Sequence, residues 1–256
     1  MKSQMDQLQS EAEANYSASR WEDSAKTYEH LVGLAQQNNE LDKAVTFALA
    51  AIQAWGNLPN MHYRINRLYQ AIGLIGLKKA AIGFESLAVE AEKTNDNKNA
   101  AAHYEEAGNN YSLIQSYEKA KNCYQKAAEV FEELSSKASK DNDHETTIHL
   151  MSRICGLYTK LGTLLERLLI ERRDLDKNKQ EKIHNEKNSQ YKNAQEMSKK
   201  KALAHEKLAQ FYLSKKDTDC NRIAVKEYKT AIDILESLGE TQEAKKFKSK
   251  LDKIPK

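Results

Sequence analysis

Small and apolar residues recur at intervals of three, four and seven along most of this 256-residue chain. The clearest stretch is AAAHYEEAGNNYSLIQSYEKAKNCYQKAAEVFEEL, residues 100–134. Each half places aromatic and small residues on one helical face: Tyr104, Ala107, Gly108 and Tyr111, then Ala120, Tyr124, Ala127 and Phe131. Such spacing is typical of amphipathic helices. The stretch therefore predicts two helices that pack closely through this shared face.

The pattern in residues 100–134 is similar to the tetratricopeptide repeat, a 34-residue helix-turn-helix unit. Gly108 and Ala120 fall where the two helices of such a unit come nearest. A larger side chain at either position is expected to force the helices apart. Glu132 departs from the pattern, because many of these repeats have proline there.

Weaker copies of the same face lie upstream. Ala25, Tyr28, Leu31 and Ala35 form one amphipathic segment, and Ala44, Ala48, Ala51 and Trp55 form the next. Asn38-Asn39-Glu40 is the predicted turn between them, and Gly56-Asn57-Leu58-Pro59 ends the pair, since proline disfavours helix in the residue before it. A second predicted pair consists of one helix over 65–72, with Ile65, Leu68, Tyr69 and Ile72 on its packing face, and its partner over 80–91.

Further copies follow residue 134. Met151, Ile154, Cys155 and Tyr158 begin a unit that continues through the apolar stretch 161–170. Another pair is predicted from His205, Leu208, Ala209 and Tyr212, the loop KKDTDCN over 215–221, and then Ala224, Tyr228, Ala231 and Leu235. Beyond Gly239, the spacing of Ala244, Phe247 and Leu251 predicts a terminal helix that covers the last apolar face, as solenoids require.

Together these segments predict an all-α fold, a right-handed solenoid of antiparallel helix pairs with a capping C-terminal helix. The predicted divisions are a helical-repeat solenoid over 1–170, a charged segment over 171–201, and a helix pair with its cap over 202–256. In the charged segment bases outnumber acids by ten to six and apolar residues are sparse. It is either a long solvated helix or a partly disordered connector.

Composition supports helices and excludes several classes of function. Only 9 Gly and 2 Pro interrupt the chain, and its formal charge of +3 is spread over interspersed acids and bases. Nucleic-acid binding is not indicated, because no basic face with stacking aromatics stands out. The first residues contain no apolar signal region, and no stretch has the roughly 18 apolar residues that span a bilayer. We expect a soluble, cytoplasmic protein, and peripheral membrane association stays open.

The sequence offers no candidate for catalysis. Cys123, Cys155 and Cys220 are far apart and are interpreted as small core residues, and the seven histidines show no HExxH spacing. His205 lies on a predicted packing face, which favours a hydrogen-bonded core histidine over a metal ligand. No phosphate-binding glycine loop or nucleophile elbow is present. We expect no enzymatic activity, no metal and no cofactor.

Residues 100–134 resemble the soluble NSF attachment proteins, adaptors built from tetratricopeptide-like helix pairs. The resemblance is carried by Ala100-Ala101, Ala107-Gly108-Asn109, Tyr111, Lys119-Ala120, Asn122-Cys123, Ala127 and Glu129. It implies an adaptor in vesicle trafficking that lays a helical surface against SNARE helices and presents them to an NSF-type ATPase. The first 30 residues have no counterpart of the family's Phe- and Gly-rich membrane-touching loop, and the ending KSKLDKIPK is not its acidic terminus.

Three alternatives to the adaptor remain. The chain is otherwise a generic tetratricopeptide scaffold, a secretion chaperone that captures an extended client, or a bacterial effector delivered into a host cell, where it imitates a trafficking adaptor. An abundance of Asn and Lys would suit an AT-rich bacterial genome.

Geometry predicts which residues meet a partner. In stacked helix pairs the first helix of each unit lines the concave face, and its non-packing positions are free to contact the partner. These positions are Tyr63, Asn66, Arg67, Gln70, Glu105, Asn109, His149, Ser152, Arg153 and Lys160. Because Arg67, Arg153 and Lys160 recur at equivalent phases, we predict a helical or extended partner with acidic residues. The alternative is that these three bases are ordinary solvated residues.

A groove for the C-terminal carboxylate of a chaperone is disfavoured. Such grooves use Lys and Asn at two positions of this set. Asn109 fits one of them, but Glu105 occupies the other and would repel a carboxylate.

Overall fold

The computed structural model describes residues 4–215 and 217–254, and these contain ten α-helices and no β-strand. The helices are α1 Gln4–Ser17, α2 Trp21–Gln37, α3 Leu41–Gly56, α4 His62–Lys93, α5 Asn97–Leu113, α6 Tyr117–Lys140, α7 His144–Glu171, α8 Lys177–Leu213, α9 Thr218–Ser237 and α10 Thr241–Leu251. The prediction of an all-α fold is confirmed. Lys216, in the predicted loop before α9, lies outside the described residues.

The chain divides between Ile82 and Gly83, within α4, into two compact units. In the first unit α1 packs on α2 and α2 on α3. In the second unit each helix from α5 to α10 packs on the next one along the chain. Sequential packing of this kind is consistent with an α-solenoid.

Six connections in the described residues use the same tight turn. Each has one residue with positive φ, followed by a residue whose N–H donates to the carbonyl five positions earlier, the Schellman arrangement that ends a helix. The positive-φ residues are Ser19, Asn39, Asn95, Gln115, Asn142 and Gly239. Their successors Arg20, Glu40, Asp96, Ser116, Asp143 and Glu240 donate over 2.8–2.9 Å. All six successors are polar, and each directly precedes the next helix.

The predicted helix pair over 65–72 and 80–91 is wrong, because α4 runs through both segments as one helix of 32 residues. Gly73 and Gly76 could each adopt a positive φ, but they are followed by Leu74 and Leu77 instead of a polar residue. Each tight turn described above has a polar residue directly after its positive-φ residue, and neither of these glycines is followed by one. In α4, Tyr69 is exposed although the pattern placed it on a packing face.

The core of the first unit follows the predicted faces. All eight residues predicted to pack in α2 and α3 are buried: Ala25, Tyr28, Leu31, Ala35, Ala44, Ala48, Ala51 and Trp55. The predicted turn at Asn38-Asn39-Glu40 and the break at 56–59 are also confirmed. Helix α1 was not assigned from the pattern, because its apolar residues are few; Ala12 is its only fully buried apolar residue among those described.

Two glycines in the second unit let tyrosine rings lie against a helix backbone. A Cβ at Gly108 in α5 would lie 2.7 Å from two ring carbons of Tyr124 in α6. A Cβ at Gly162 in α7 would lie equally close to the ring of Tyr191 in α8. The two helices predicted within 100–134 are confirmed as α5 and α6, and every residue of their predicted face is buried.

Aromatic side chains reach back to a glutamate on the preceding helix at a constant separation of 26 residues. Trp55 Nε1 donates to Glu29 over 2.7 Å, Tyr111 Oη donates to Glu85 over 2.8 Å, and Tyr158 Oη donates to Glu132 over 2.5 Å. Burial, followed by the hydrogen bond to the glutamate, raises the pKa of both tyrosines. The hydroxyls therefore stay protonated donors that tie successive helices together.

Replacing Tyr111 with phenylalanine is expected to lower the free energy of unfolding by about 1–2 kcal/mol, because a buried hydrogen bond to a carboxylate is lost. Tyr111 is 1% exposed, so water cannot replace its hydroxyl. Chemical denaturation followed by circular dichroism measures the change. Tyr69→Phe, at an exposed position of α4, is the matched control and should leave stability within about 0.5 kcal/mol of the wild type. Equal effects of the two variants would contradict the prediction.

The charged segment 171–201 contains the end of α7, a turn over 172–176 and the first two-thirds of α8. The helical alternative is therefore the one found for residues 177–201. Gln190 and Ala194 are buried on the face of α8 that packs on α7. Residue 201 falls within α8, whose last turns pack on α9. The predicted terminal helix is confirmed as α10, with Ala244 and Phe247 buried.

Candidate functional site

Helices α5 and α7 of the second unit face each other along one stripe of side chains. The start of α5 faces the start of α7, and the end of α5 faces the end of α7. Members of the stripe follow the spacing of three and four that keeps residues on one helical face: Lys98, Glu105, Asn109 and Ser112 on α5, and His149, Arg153, Gly156, Lys160, Thr163 and Arg167 on α7. We call the surface formed by these residues the α5–α7 groove.

A charged cluster crosses the middle of the groove. Glu105 accepts hydrogen bonds from Arg153 and, over 2.9 Å, from Lys160 Nζ. Lys160 Nζ also donates to Asn109 Oδ1 over 2.9 Å, and the same oxygen accepts from Tyr124 Oη over 3.0 Å. These bonds link α5, α6 and α7 at one point.

The cluster is half-buried, so the attraction between its charges is screened less than it would be at an exposed site. Burial opposes ionisation of Glu105, but the hydrogen bonds from Arg153 and Lys160 outweigh it and hold the pKa of that carboxyl below its usual value. Burial, followed by the charge of Glu105, raises the pKa of Tyr124 to about 12. Glu105 is therefore a carboxylate at neutral pH, and Tyr124 is a neutral donor.

A cavity of about 510 Å³ lies at the start of the groove, where α6 ends and α7 begins. Its apolar lining is Leu134, Ala138 and Leu150. Its polar rim carries both signs of charge: Lys98, Lys137, Asp141, Asp143, Glu145 and His149. The volume is within the range of ligand-binding clefts. We call it the apolar cavity.

A second cavity of about 330 Å³ lies at the other end of the groove. It is lined by Leu113, Tyr124, Leu164 and several hydroxyl or amide groups, together with Lys160 and Arg167, and no acidic residue is part of its lining. Arg167 is exposed and forms no ion pair within the described part of the chain. We call it the basic cavity.

The structure brings together most of the predicted site residues of the second unit. Glu105, Asn109, Arg153 and Lys160 bond to one another, and His149 lines the apolar cavity. Ser152 lies beside them but donates its hydroxyl to the carbonyl of Ile148 over 2.9 Å. Two of the three predicted free bases, Arg153 and Lys160, are thus already paired within the chain.

The other four predicted residues lie on α4 in the first unit. Tyr63, Asn66, Arg67 and Gln70 are all exposed, and Tyr63 retains 73% of its accessible surface. The guanidinium of Arg67 lies 5.9 Å from the centre of the Tyr63 ring. Arg67 also lines a cleft of about 220 Å³ between α2 and α4, beside Glu29 and Arg64.

Several groove residues were not predicted from the sequence. Lys98 and Ser112 continue the α5 stripe at the same phase as Glu105, and Thr163 and Arg167 continue the α7 stripe beyond Lys160. Extension of the heptad spacing would have found them. Leu134 and Ala138 come from the end of α6, and no spacing within one helix indicates them.

No group of three metal-ligating side chains occurs in residues 4–215 and 217–254. Cys123 is buried, and this burial raises the pKa of its thiol to about 11. His205 is buried with its Nδ1 2.6 Å from Glu227 Oε2, as expected for a hydrogen-bonded core histidine. No described helix is long and apolar enough to cross a membrane.

Replacing Glu105 with glutamine is expected to destabilise the second unit by about 1–2 kcal/mol at pH 7, because the negative charge is lost and one of the two acceptor oxygens becomes an NH2 donor. The folded-state pKa of Glu105 is depressed, so its stabilisation is present above the unfolded pKa of about 4.3 and disappears as pH falls through the folded value. The stability difference between wild type and variant should therefore shrink below about pH 4.

Urea denaturation at pH 7 and at pH 3 measures this difference. Glu106→Gln is the matched control, since Glu106 is the exposed neighbour on the same helix. It should change stability by less than about 0.5 kcal/mol at either pH. A Glu105→Gln effect that persists unchanged at pH 3 would contradict the prediction.

Neither models of known protein families nor curated protein sequences match this chain.

Proposed function

We propose that this protein is a non-catalytic interaction scaffold that binds a helical protein partner along the α5–α7 groove. One observation carries the proposal: two open cavities lie on the same stripe of α5 and α7. Leu150 lines one cavity and Leu164 the other, and their separation along α7 is about 21 Å at 1.5 Å per residue. A surface of this length suits a protein segment better than a small molecule.

The more specific form of the proposal is an adaptor similar to the soluble NSF attachment proteins. It takes the helices as antiparallel pairs of a right-handed, tetratricopeptide-like solenoid, with α10 as its cap. Its partners are then SNARE-type helices and an NSF-type ATPase, and it acts in the cytoplasm. Support comes from the resemblance over residues 100–134, which form the α5–α6 pair beside the groove.

Site-specific photocrosslinking tests the proposal. A benzophenone amino acid is placed at Ser112 or His149, at opposite ends of the groove, and at Lys229 on α9 as the control. The probe is a purified four-helix SNARE bundle. Crosslinks from Ser112 and His149, but not from Lys229, are the expected result.

Two other outcomes are informative. Crosslinks from Lys229 alone would move the binding surface away from the groove. No crosslink at micromolar concentrations, together with no stimulation of an NSF-type ATPase, would exclude the adaptor form.

A charge-reversal test of the groove should avoid Arg153 and Lys160. Glutamate at either position would lie against Glu105 and damage the cluster that joins α5 to α7. Arg167→Glu reverses a charge without removing an internal ion pair of the described chain. Loss of SNARE-bundle binding in this variant, with circular dichroism unchanged, is expected.

A further inference from the structure

The two ends of the α5–α7 groove differ in chemistry, and this difference specifies the partner. Building on the proposed function, we propose that the groove recognises an amphipathic helix with an apolar anchor and, about fourteen residues away, a pair of acidic side chains. The apolar anchor enters the apolar cavity, and the acidic side chains meet Lys160 and Arg167 in the basic cavity.

The apolar cavity selects a hydrocarbon side chain. Leu134, Ala138 and Leu150 are its apolar lining, while two lysines and three carboxylates give the rim both signs of charge. Leu134 is only half-buried, so an anchor that covers it removes apolar surface from water. With both signs of charge on the rim, no charged partner residue is favoured at this end.

The basic cavity selects a carboxylate. Lys160 and Arg167 are its charged residues, and its lining has no acid. Lys160 already donates hydrogen bonds to Glu105 and Asn109, whereas Arg167 has no ion pair in the part of the chain that is described. The hydroxyls of Thr159 and Thr163 donate to backbone carbonyls of their own helix, which leaves the two bases to hold an anion.

The middle of the groove favours a helix over an extended strand. Gly156 lies on the α7 stripe between the two cavities, is exposed, and has no heavy atom within 4 Å of the position a Cβ would take. A partner helix can approach α7 closely at such a glycine. The stripe itself repeats every seven residues, which matches the side-chain spacing of a second helix.

The separation of the anchors follows from the separation of the cavities. Leu150 and Leu164 line different cavities and are fourteen residues apart on α7. A partner helix that lies along α7 has the same rise per residue, so its anchors must also be about fourteen residues apart. An extended segment would cover that distance in about six residues.

Fluorescence anisotropy with synthetic peptides tests the spacing. The probes are labelled 24-residue alanine- and glutamine-based helices that carry two leucines one turn apart and two glutamates fourteen residues away, made in both orders. Peptides of the same composition with a separation of seven residues are the controls. At least one peptide with the fourteen-residue separation is expected to bind at least ten-fold more tightly than the controls, with affinity falling as salt rises.

Two variants of the protein locate the binding. Arg167→Glu and Gly156→Leu should each weaken binding of the favoured peptide at least ten-fold. Gly33→Leu is the control and should bind as the wild type does, because Gly33 lies on α2 in the first unit and its Cβ position also has no heavy atom within 4 Å. Thermal unfolding verifies that all variants fold.

Equal affinity for both spacings, no binding of any peptide, or binding that is unaffected by Arg167→Glu would overturn the inference. The crosslinking test does not depend on the spacing. Crosslinks between the groove and the SNARE bundle, combined with a failure of the peptides, would therefore reject the anchor spacing and retain the scaffold.

Discussion

Gly108→Val is expected to lower the free energy of unfolding of the second unit by about 3 kcal/mol, since overpacking a closed interior contact costs this much. The new Cβ would lie 2.7 Å from Cδ1 and Cε1 of Tyr124. The ring cannot easily move, because Tyr124 is 3% exposed and its hydroxyl is bonded to Asn109. Urea denaturation followed by circular dichroism measures the loss.

Gly156→Val is the matched control for this prediction. Gly156 is also helical and in the second unit, but nothing lies within 4 Å of its Cβ position. We expect its stability to stay within about 0.5 kcal/mol of the wild type. Hydrogen exchange should show protection lost in α5 and α6 for Gly108→Val only. If the two variants lose the same free energy of unfolding, the close approach of Tyr124 does not determine which residue is tolerated at position 108.

Trp55→Ala is expected to destabilise the first unit by about 3–5 kcal/mol, the usual cost of truncating a buried aromatic residue. Trp55 is 1% exposed, and it joins α3 to α2 through the hydrogen bond from its Nε1 to Glu29. The guanidinium of Arg64 also lies 4.6 Å from the ring centre. The substitution therefore removes packing and a donor together.

Trp55→Phe separates the two contributions. Phenylalanine keeps much of the buried volume but leaves Glu29 without its indole donor, so a loss of about 1–3 kcal/mol is expected. Hydrogen exchange in α2 and α3 measures both variants. If Trp55→Ala leaves the protection of these two helices unchanged, Trp55 does not organise this core.

The sequence predicts a helix pair well where a polar turn separates two complete apolar faces. Between α5 and α6, Gln115 adopts a positive φ and Ser116 directly precedes the next helix, so the chain reverses cleanly. In α4 a similar break was expected between residues 72 and 80, but the glycines there are followed by leucines and one helix runs through the segment. Turn chemistry, more than periodicity, decides where these helices end.

The candidate site was predictable only in part. Helical phase alone places Glu105, Asn109, Arg153 and Lys160 on the exposed stripes of their helices. Their mutual bonds connect residues 48, 51 and 55 positions apart, and the pattern of a single helix holds no information on such pairs. The prediction therefore treated Arg153 and Lys160 as free charges, whereas in the described structure it is Arg167, in the basic cavity, that has no ion pair.

The sequential packing of α1 to α3 and of α5 to α10 also has a consequence for how the chain acquires its structure. The bonds that tie α2 to α3, α4 to α5 and α6 to α7 each span only 26 residues. Contacts that are so near in sequence close small loops, which favours rapid folding. Helices α1 to α3 can therefore associate before later helices have left the ribosome, and synthesis need not finish before the first unit buries its core.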